Sequence, residues 1–230
     1  YLAGSHGVCI EKRRGFGGRD NGRSFITLSS PKADAPFYIL LVDSSNDGRV
    51  LSDIRDEYQG LAKQGYDKVI GLRDIYPYKH KDFRKLKKVV RQLLPLGKIP
   101  SSVCFAVLEI ETWFIAEYTH FKKIHPRLTP EFIFKHTGID PRSVNLETEL
   151  IPEKDELGNS PAKDLNRIYK LVKRAYNTKK QQVKTLIKVL NIDIMTNELP
   201  KHMHSLAYFL RELNDFFDSI DDSTEDGEDL

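Results

Sequence analysis

Two cysteines, two methionines and one tryptophan are all that the 230 residues contain of these types. Cys9 and Cys104 lie far apart in apolar, strand-like stretches with no zinc spacing or redox motif around them, so they read as buried thiols in a reducing compartment. No run approaches the roughly 18 uninterrupted apolar residues of a membrane span, and the N-terminus lacks the basic-then-apolar build of a secretory signal. The expectation is a soluble, cytoplasmic protein with no membrane partner. The seven histidines include no His-Glu-x-x-His pair, and His202 and His204, flanking Met203, read as helix-surface or packing residues rather than zinc ligands. A Walker loop is also missing: Gly15-Phe-Gly-Gly lacks the following Gly-Lys-Ser/Thr and the strand-to-helix context.

Charge is abundant and unevenly placed. The formal net charge is +3, yet the segment from Asp218 to Leu230 carries seven acids and no base, which leaves +10 on the remainder (3 plus 7). A basic body favours a polyanionic partner. With 40% hydrophobic residues the chain can bury one substantial core and a helical appendage.

Residues 1–36 interleave Gly15, Gly17, Gly18 and Gly22 with Arg13, Arg14, Arg19 and Arg23, a composition that forbids a long helix and predicts a mobile cationic loop between short strands. One such strand is Val8-Cys9-Ile10, closed by Glu11. Three further apolar runs end in acids: Phe37 to Val42 in Asp43, Val69 to Leu72 in Arg73-Asp74, and Val103 to Leu108 in Glu109-Ile110-Glu111. Unbroken apolar runs of this length read as strands buried on both faces. A helix from Val50 stopped at Gly65, and an amphipathic basic helix between Lys79 and Pro95, connect them. Helical connections imply a mostly parallel sheet, whose ligands collect at the carboxyl ends of its strands. The fold class is therefore α/β, with a helical C-terminal region read as Ala162–Tyr176, Lys179–Leu190 and Lys201–Phe217 after a proline-rich connection around Pro126, Pro130 and Pro141. The expected organisation is an α/β domain over 1–125, helices packed on it over 126–217, and an acidic disordered tail over 218–230.

Magnesium and manganese take oxygen ligands, commonly one or two carboxylates with water and phosphate completing the shell. Asp43, Asp74, Glu109 and Glu111 are the candidate ligands, and Glu11 is a further candidate acid. Glu109 and Glu111 share a face if both are on a strand and diverge by about 200° if a helix starts there. A metal among them would neutralise a phosphodiester and acidify a bound water, with one carboxylate as base. Lys85, Lys87, Lys88 and Arg91 on the basic helix are the candidate phosphate contacts.

The segment from Gly71 to Pro77 resembles "VDxYGLP", that from Leu108 to Phe114 resembles "HEFEAWLF", and Ser160-Pro-Ala-Lys163, with Tyr169 and Tyr176 after it, resembles "PSKRI…Y.K". In order and spacing, over residues 37–217, these are similar to an uncharacterised Toprim-like family related to the OLD nucleases. The resemblance implies a Toprim-like α/β sheet with a helical cap, Mg²⁺ or Mn²⁺ as cofactor, and hydrolysis of DNA or RNA in bacterial defence against phage. An ABC-type ATPase as partner is also implied, and a homo-oligomer is a separate expectation for the chain. By the same correspondence Asp74 and Glu109 hold the metal, Glu111 is a ligand or supports one, and Lys163 contacts phosphate or an acid. The family's opening Val-Glu-Gly strand has no counterpart: Glu11 is followed by Lys-Arg-Arg-Gly, and Asp43 has the better strand but a shorter acid. Either the glutamate is replaced, the chain starts late, or it departs from the family plan. The alternative expectation is accordingly a non-catalytic subunit that binds nucleic acid or an ATPase.

Overall fold

The computed structural model describes residues 8–18, 22–29, 37–75, 80–144, 146–149, 160–177 and 180–225. The protein is α/β: a small parallel sheet and a mixed sheet, each accompanied by helices. It divides into two compact units, residues 1–66 and 67–230.

The first unit contains β1 (Val8–Gly18), β2 (Gly22–Ser29), β3 (Phe37–Asp43) and α1 (Val50–Lys63). Its sheet has the order β2-β1-β3, with β1 antiparallel to β2 and parallel to β3. The Arg/Gly segment is therefore a hairpin and not a loop: Arg13, Arg14 and Arg23 are strand residues, paired from Arg13↔Thr27 to Gly18↔Gly22. Antiparallel pairing satisfies the backbone of a glycine-rich segment that side-chain patterning alone cannot assign. Arg19 and the remainder of 19–21 lie outside the described residues. α1 buries Asp53, Ile54 and Tyr58 on one face, and Gly65 beyond its end has φ +81°, a conformation that costs glycine little.

The second unit opens with β4 (Val69–Asp74), α2 (His80–Leu93) and β5 (Ser101–Ala106), a strand-helix-strand unit with parallel pairing from Val69↔Ser101 to Asp74↔Ala106. Helices α3 (Glu111–Ala116), α4 (Thr119–Ile124), α5 (Pro130–Thr137), α6 (Leu146–Glu149), α7 (Pro161–Lys170), α8 (Lys180–Val189) and α9 (His204–Glu225) follow. All six residues of α3 are buried. Trp113, Phe114 and Ile115 sit in one core with Phe121, Leu128, Ile133, Leu165, Ile168, Leu186 and Leu206. Each such side chain contributes about 1.5–3 kcal/mol by burial. The strand runs thus form two sheets among the described residues instead of one, with Asp43 ending a strand of the first and Asp74 one of the second.

Several boundaries differ from the sequence reading. β5 stops at Ala106, two residues short of Leu108, whose φ of +67° is left-handed. The proline-rich connection contains α5, with Thr129 accepting from Phe132 N, Pro130 in its first turn and Gly138 at its C-terminus with φ +75°. These are helix start and stop signals. The helix after Ser160 ends at Lys170, not Tyr176. α9 runs to Glu225, eight residues into the acidic segment expected to be disordered from 218. A helix anchored by packed residues, Leu206 and Phe217 among them, propagates outward at little cost because its nucleus is already formed. Residues 226–230 lie outside the described ones. Cys104 is fully buried and Cys9 only half-buried, and neither forms a disulfide. His202 and His204 are exposed on either side of buried Met203. No helix among the described residues is long and apolar enough to cross a membrane.

Candidate nucleic-acid interface and strand-end carboxylates

α2 joins β4 to β5 and must rest one face on the sheet. Phe83, Leu86 and Val90 form that face, at the spacing of a helix stripe; Phe83 meets Phe105 of β5 edge-on at 5.4 Å between ring centroids. The other side carries Arg84, Lys85, Lys87, Lys88 and Arg91, all exposed. At about 100° per residue these five cations span roughly 160° of the helix circumference. None has a carboxylate partner among the described residues. Lys87 Nζ lies 5.2 Å from the Phe83 ring centre, a cation–π contact that holds its stem along the helix.

At the carboxyl end of the parallel strands, Asp74 closes β4 beside Ala106. Its Oδ1 accepts from Ile110 N at 3.1 Å, and Ile75 N donates to Ala106 O at 3.1 Å. The chain leaves β5 through Val107 and the left-handed Leu108, then starts α3. Thr112 N donates to Glu109 O and Trp113 N to Ile110 O, each at 3.0 Å. The helix begins at the Glu-x-Glu pair, so the two glutamates diverge. Glu109 Oε2 accepts from Ala162 N at 2.8 Å, serving one of the amides that the first turn of α7 leaves unbonded. Ser160 caps the same turn by accepting from Lys163 N at 3.4 Å. Glu111 points the other way: it is buried, and its Oε1 accepts from the Tyr176 hydroxyl at 2.8 Å.

Burial raises the Glu111 carboxyl pKa above the ordinary value; the Tyr176 bond opposes this and the charge of Glu109 adds to it. Asp164 of α7 is raised as well, first by burial, with Arg167 opposing and Glu109 adding. Arg167 Nη2 stands 3.2 Å from Asp164 Oδ1. Sequence reasoning passed over Asp164 and the pairing of Tyr176 with Glu111. A serine-proline helix start with an acid one turn in marks the first, but a contact across 65 residues has no local signal.

The other proposed acids belong to the first unit. Glu11 lies in the interior of β1, not at a strand end, because β1 runs on to Gly18. It is buried and accepts from the Tyr38 hydroxyl and from Arg13 Nε, and these bonds hold its carboxyl below the ordinary range. Asp43 ends β3 as read from the sequence. It is exposed, accepting from Arg14 Nε at 2.8 Å and Ser45 N at 2.9 Å. Lys163 is exposed on the first turn of α7, and its side chain has no acidic partner among the described residues. Thus the second unit holds Asp74, Glu109 and Glu111 at one strand end, while Glu11 and Asp43 are on the sheet of the first unit.

The donor chemistry at that strand end is carboxylate oxygen without thiolate or imidazole, which suits magnesium or manganese. No three His, Cys, Asp or Glu side chains among the described residues come together as a ligand set. The residues fit a site of one or two carboxylates, with other positions left to water and phosphate. Comparison with protein-family models, with curated proteins and with solved structures finds no match to the chain.

Proposed function

We propose that the second unit binds nucleic acid along α2. The observation that carries this reading is the run of five exposed cations, none of them paired with a carboxylate among the described residues. A solvated helix face ordinarily intersperses both signs, and like charges repel one another until a polyanion neutralises them. Neutralising several phosphates displaces counterions, so affinity falls by about 0.9 log unit per phosphate for each tenfold rise in salt. Fluorescence anisotropy with labelled DNA and RNA tests this directly. Lys85→Glu/Lys87→Glu/Lys88→Glu is expected to weaken binding by a factor on the order of 100 or more and to flatten the salt slope. The side chains are exposed, so the melting temperature should hold. Equal affinities for the variant and the unmodified protein would refute the interface.

A second reading is metal-dependent phosphodiester hydrolysis of the bound nucleic acid, as the resemblance to Toprim-like nucleases implies, with an anti-phage role and an ATPase partner. It is favoured by the mutual repulsion of Glu109 with Glu111 and Asp164, which a divalent cation would relieve. Asp74 and Glu109 would hold Mg²⁺ or Mn²⁺, and the ion would supply charge neutralisation and an acidified water. Calorimetric titration of Mn²⁺ into the unmodified protein, Asp74→Ala and Glu109→Gln separates the readings. Glu109→Gln keeps an acceptor for Ala162 N, so loss of binding there reports the metal and not the fold. Absence of saturable binding to the unmodified protein leaves the non-catalytic reading.

A further inference from the structure

Within the first unit a cavity of about 670 Å³ lies between the hairpin and the β3–α1 connection, lined by Arg14, Phe16, Arg23, Ser44, Ser45 and Arg49 together with glycines and other small polar residues. That volume is in the range of small-molecule sites. No acid lines it. We propose that it binds a phosphomonoester, the phosphate of a nucleoside monophosphate. The inference uses no residue of α2 and is independent of the function proposed for the second unit.

Three arginines line this one cavity, and the guanidinium of each keeps hydrogen-bonding capacity. Arg23 is fixed: Nε and Nη2 donate to Asp53 at 2.8 and 2.6 Å, and Nη2 also donates to Ser44 O at 2.8 Å. Its Nη1 has no acceptor among the described residues. Arg14 uses Nε alone, on Asp43 at 2.8 Å. The Arg49 side chain has no partner among the described residues. Planar forks of this kind match phosphate oxygens, and a pre-positioned one loses little freedom on binding. The positioning is specific. A Cβ at Gly15 would stand 2.3 Å from Arg23 Nη2 and 2.6 Å from Cζ, so the guanidinium lies where only glycine leaves room.

The facing wall is built with equal care. Ser45 adopts φ +64° and its hydroxyl donates to Gly15 O at 2.8 Å, tying the connection to the strand. A left-handed serine held by such a bond is strain of the sort that accumulates at ligand sites. Ser44 presents a hydroxyl with no partner among the described residues. Phe16 completes the lining at 50% exposure. An exposed ring beside cations offers a stacking surface for a base, which is why a nucleoside phosphate fits better than bare phosphate.

Calorimetry on the full chain with AMP, adenosine and inorganic phosphate tests the site. AMP should bind at least about tenfold more tightly than adenosine, and Arg49→Gln should cost AMP at least about tenfold while leaving the thermal melt unchanged. Equal affinity for AMP and adenosine, no saturable binding of AMP at millimolar concentration, or an Arg49→Gln variant that binds AMP as before would each overturn the proposal. Two sources share this chemistry, a free nucleotide and the phosphorylated end of a strand. A hexanucleotide with and without a 5′-phosphate distinguishes them, counting only the binding that Arg49→Gln removes. Tighter binding of the phosphorylated strand than of AMP assigns the strand end, and the reverse order assigns the free nucleotide.

Discussion

Tyr176→Phe removes one oxygen and keeps the ring, so the edge contact with Tyr169, 6.0 Å between centroids, survives. What is lost is the 2.8 Å bond to Glu111. Both residues are buried, so no water replaces the donor easily. A hydrogen bond to a charged group is worth about 1.5–3 kcal/mol, and for a folding unit of this size about 2 kcal/mol lowers the melting temperature by roughly 4–8 °C. The pH dependence makes the test sharper. Because the folded-state pKa of Glu111 is raised, chiefly by burial, its ionised form is a cost that grows as pH rises through that pKa and vanishes below the unfolded value. Without the phenol the pKa rises further. The gap between the two proteins should therefore be widest at pH 8 and should shrink toward about 1 kcal/mol as pH falls to the ordinary carboxyl value. Glu111→Gln keeps an acceptor without the charge and should be at least as stable as the unmodified protein at pH 8. Denaturant titrations at several pH values measure all three. A gap that is missing at pH 8, or that stays constant with pH, would show that the buried carboxylate does not depend on this phenol.

Gly15→Ala should destabilise the first unit by roughly 1–2 kcal/mol, since the added methyl displaces Arg23 from Asp53 and outweighs the entropy gained in the unfolded chain; a neutral result in chemical denaturation would mean that Arg23 yields freely. Thr129→Ala removes the side-chain cap of α5 and should cost about 1 kcal/mol, with Thr129→Ser recovering most of it in the same assay.

How far the chain could be read without its structure varied with the range of the interactions involved. Runs of apolar residues placed β3, β4 and β5 and the strand-end positions of Asp43 and Asp74, but β3 is not buried on both faces as its run implied: it lies at the edge of its three-stranded sheet, with Tyr38, Leu41 and Val42 exposed. Helical spacing placed α1 and α2 and put the basic residues of α2 on the solvent side, since apolar periodicity alone decides which side meets the sheet. The hairpin was misread as a loop because backbone pairing, not side-chain pattern, organises glycine and arginine there.

The carboxylates depended on tertiary structure throughout. Whether Glu109 and Glu111 act together turned on where β5 ends, and the left-handed Leu108 starts the helix early enough to send one to α7 and the other to Tyr176. Glu11 met Tyr38 only because β1 and β3 lie side by side in parallel. The same pairing of strands remote in the chain brought Arg14 to Asp43, while the hairpin set Arg23 against Gly15. Composition and period determined the class of fold, the basic face of α2 and the inventory of acids, all of them local properties. Which acids face which donors, and which arginines share a cavity, was decided by strand pairing and tertiary contacts, Glu11 with Tyr38, Arg14 with Asp43 and Glu111 with Tyr176 among them, which no local pattern encodes.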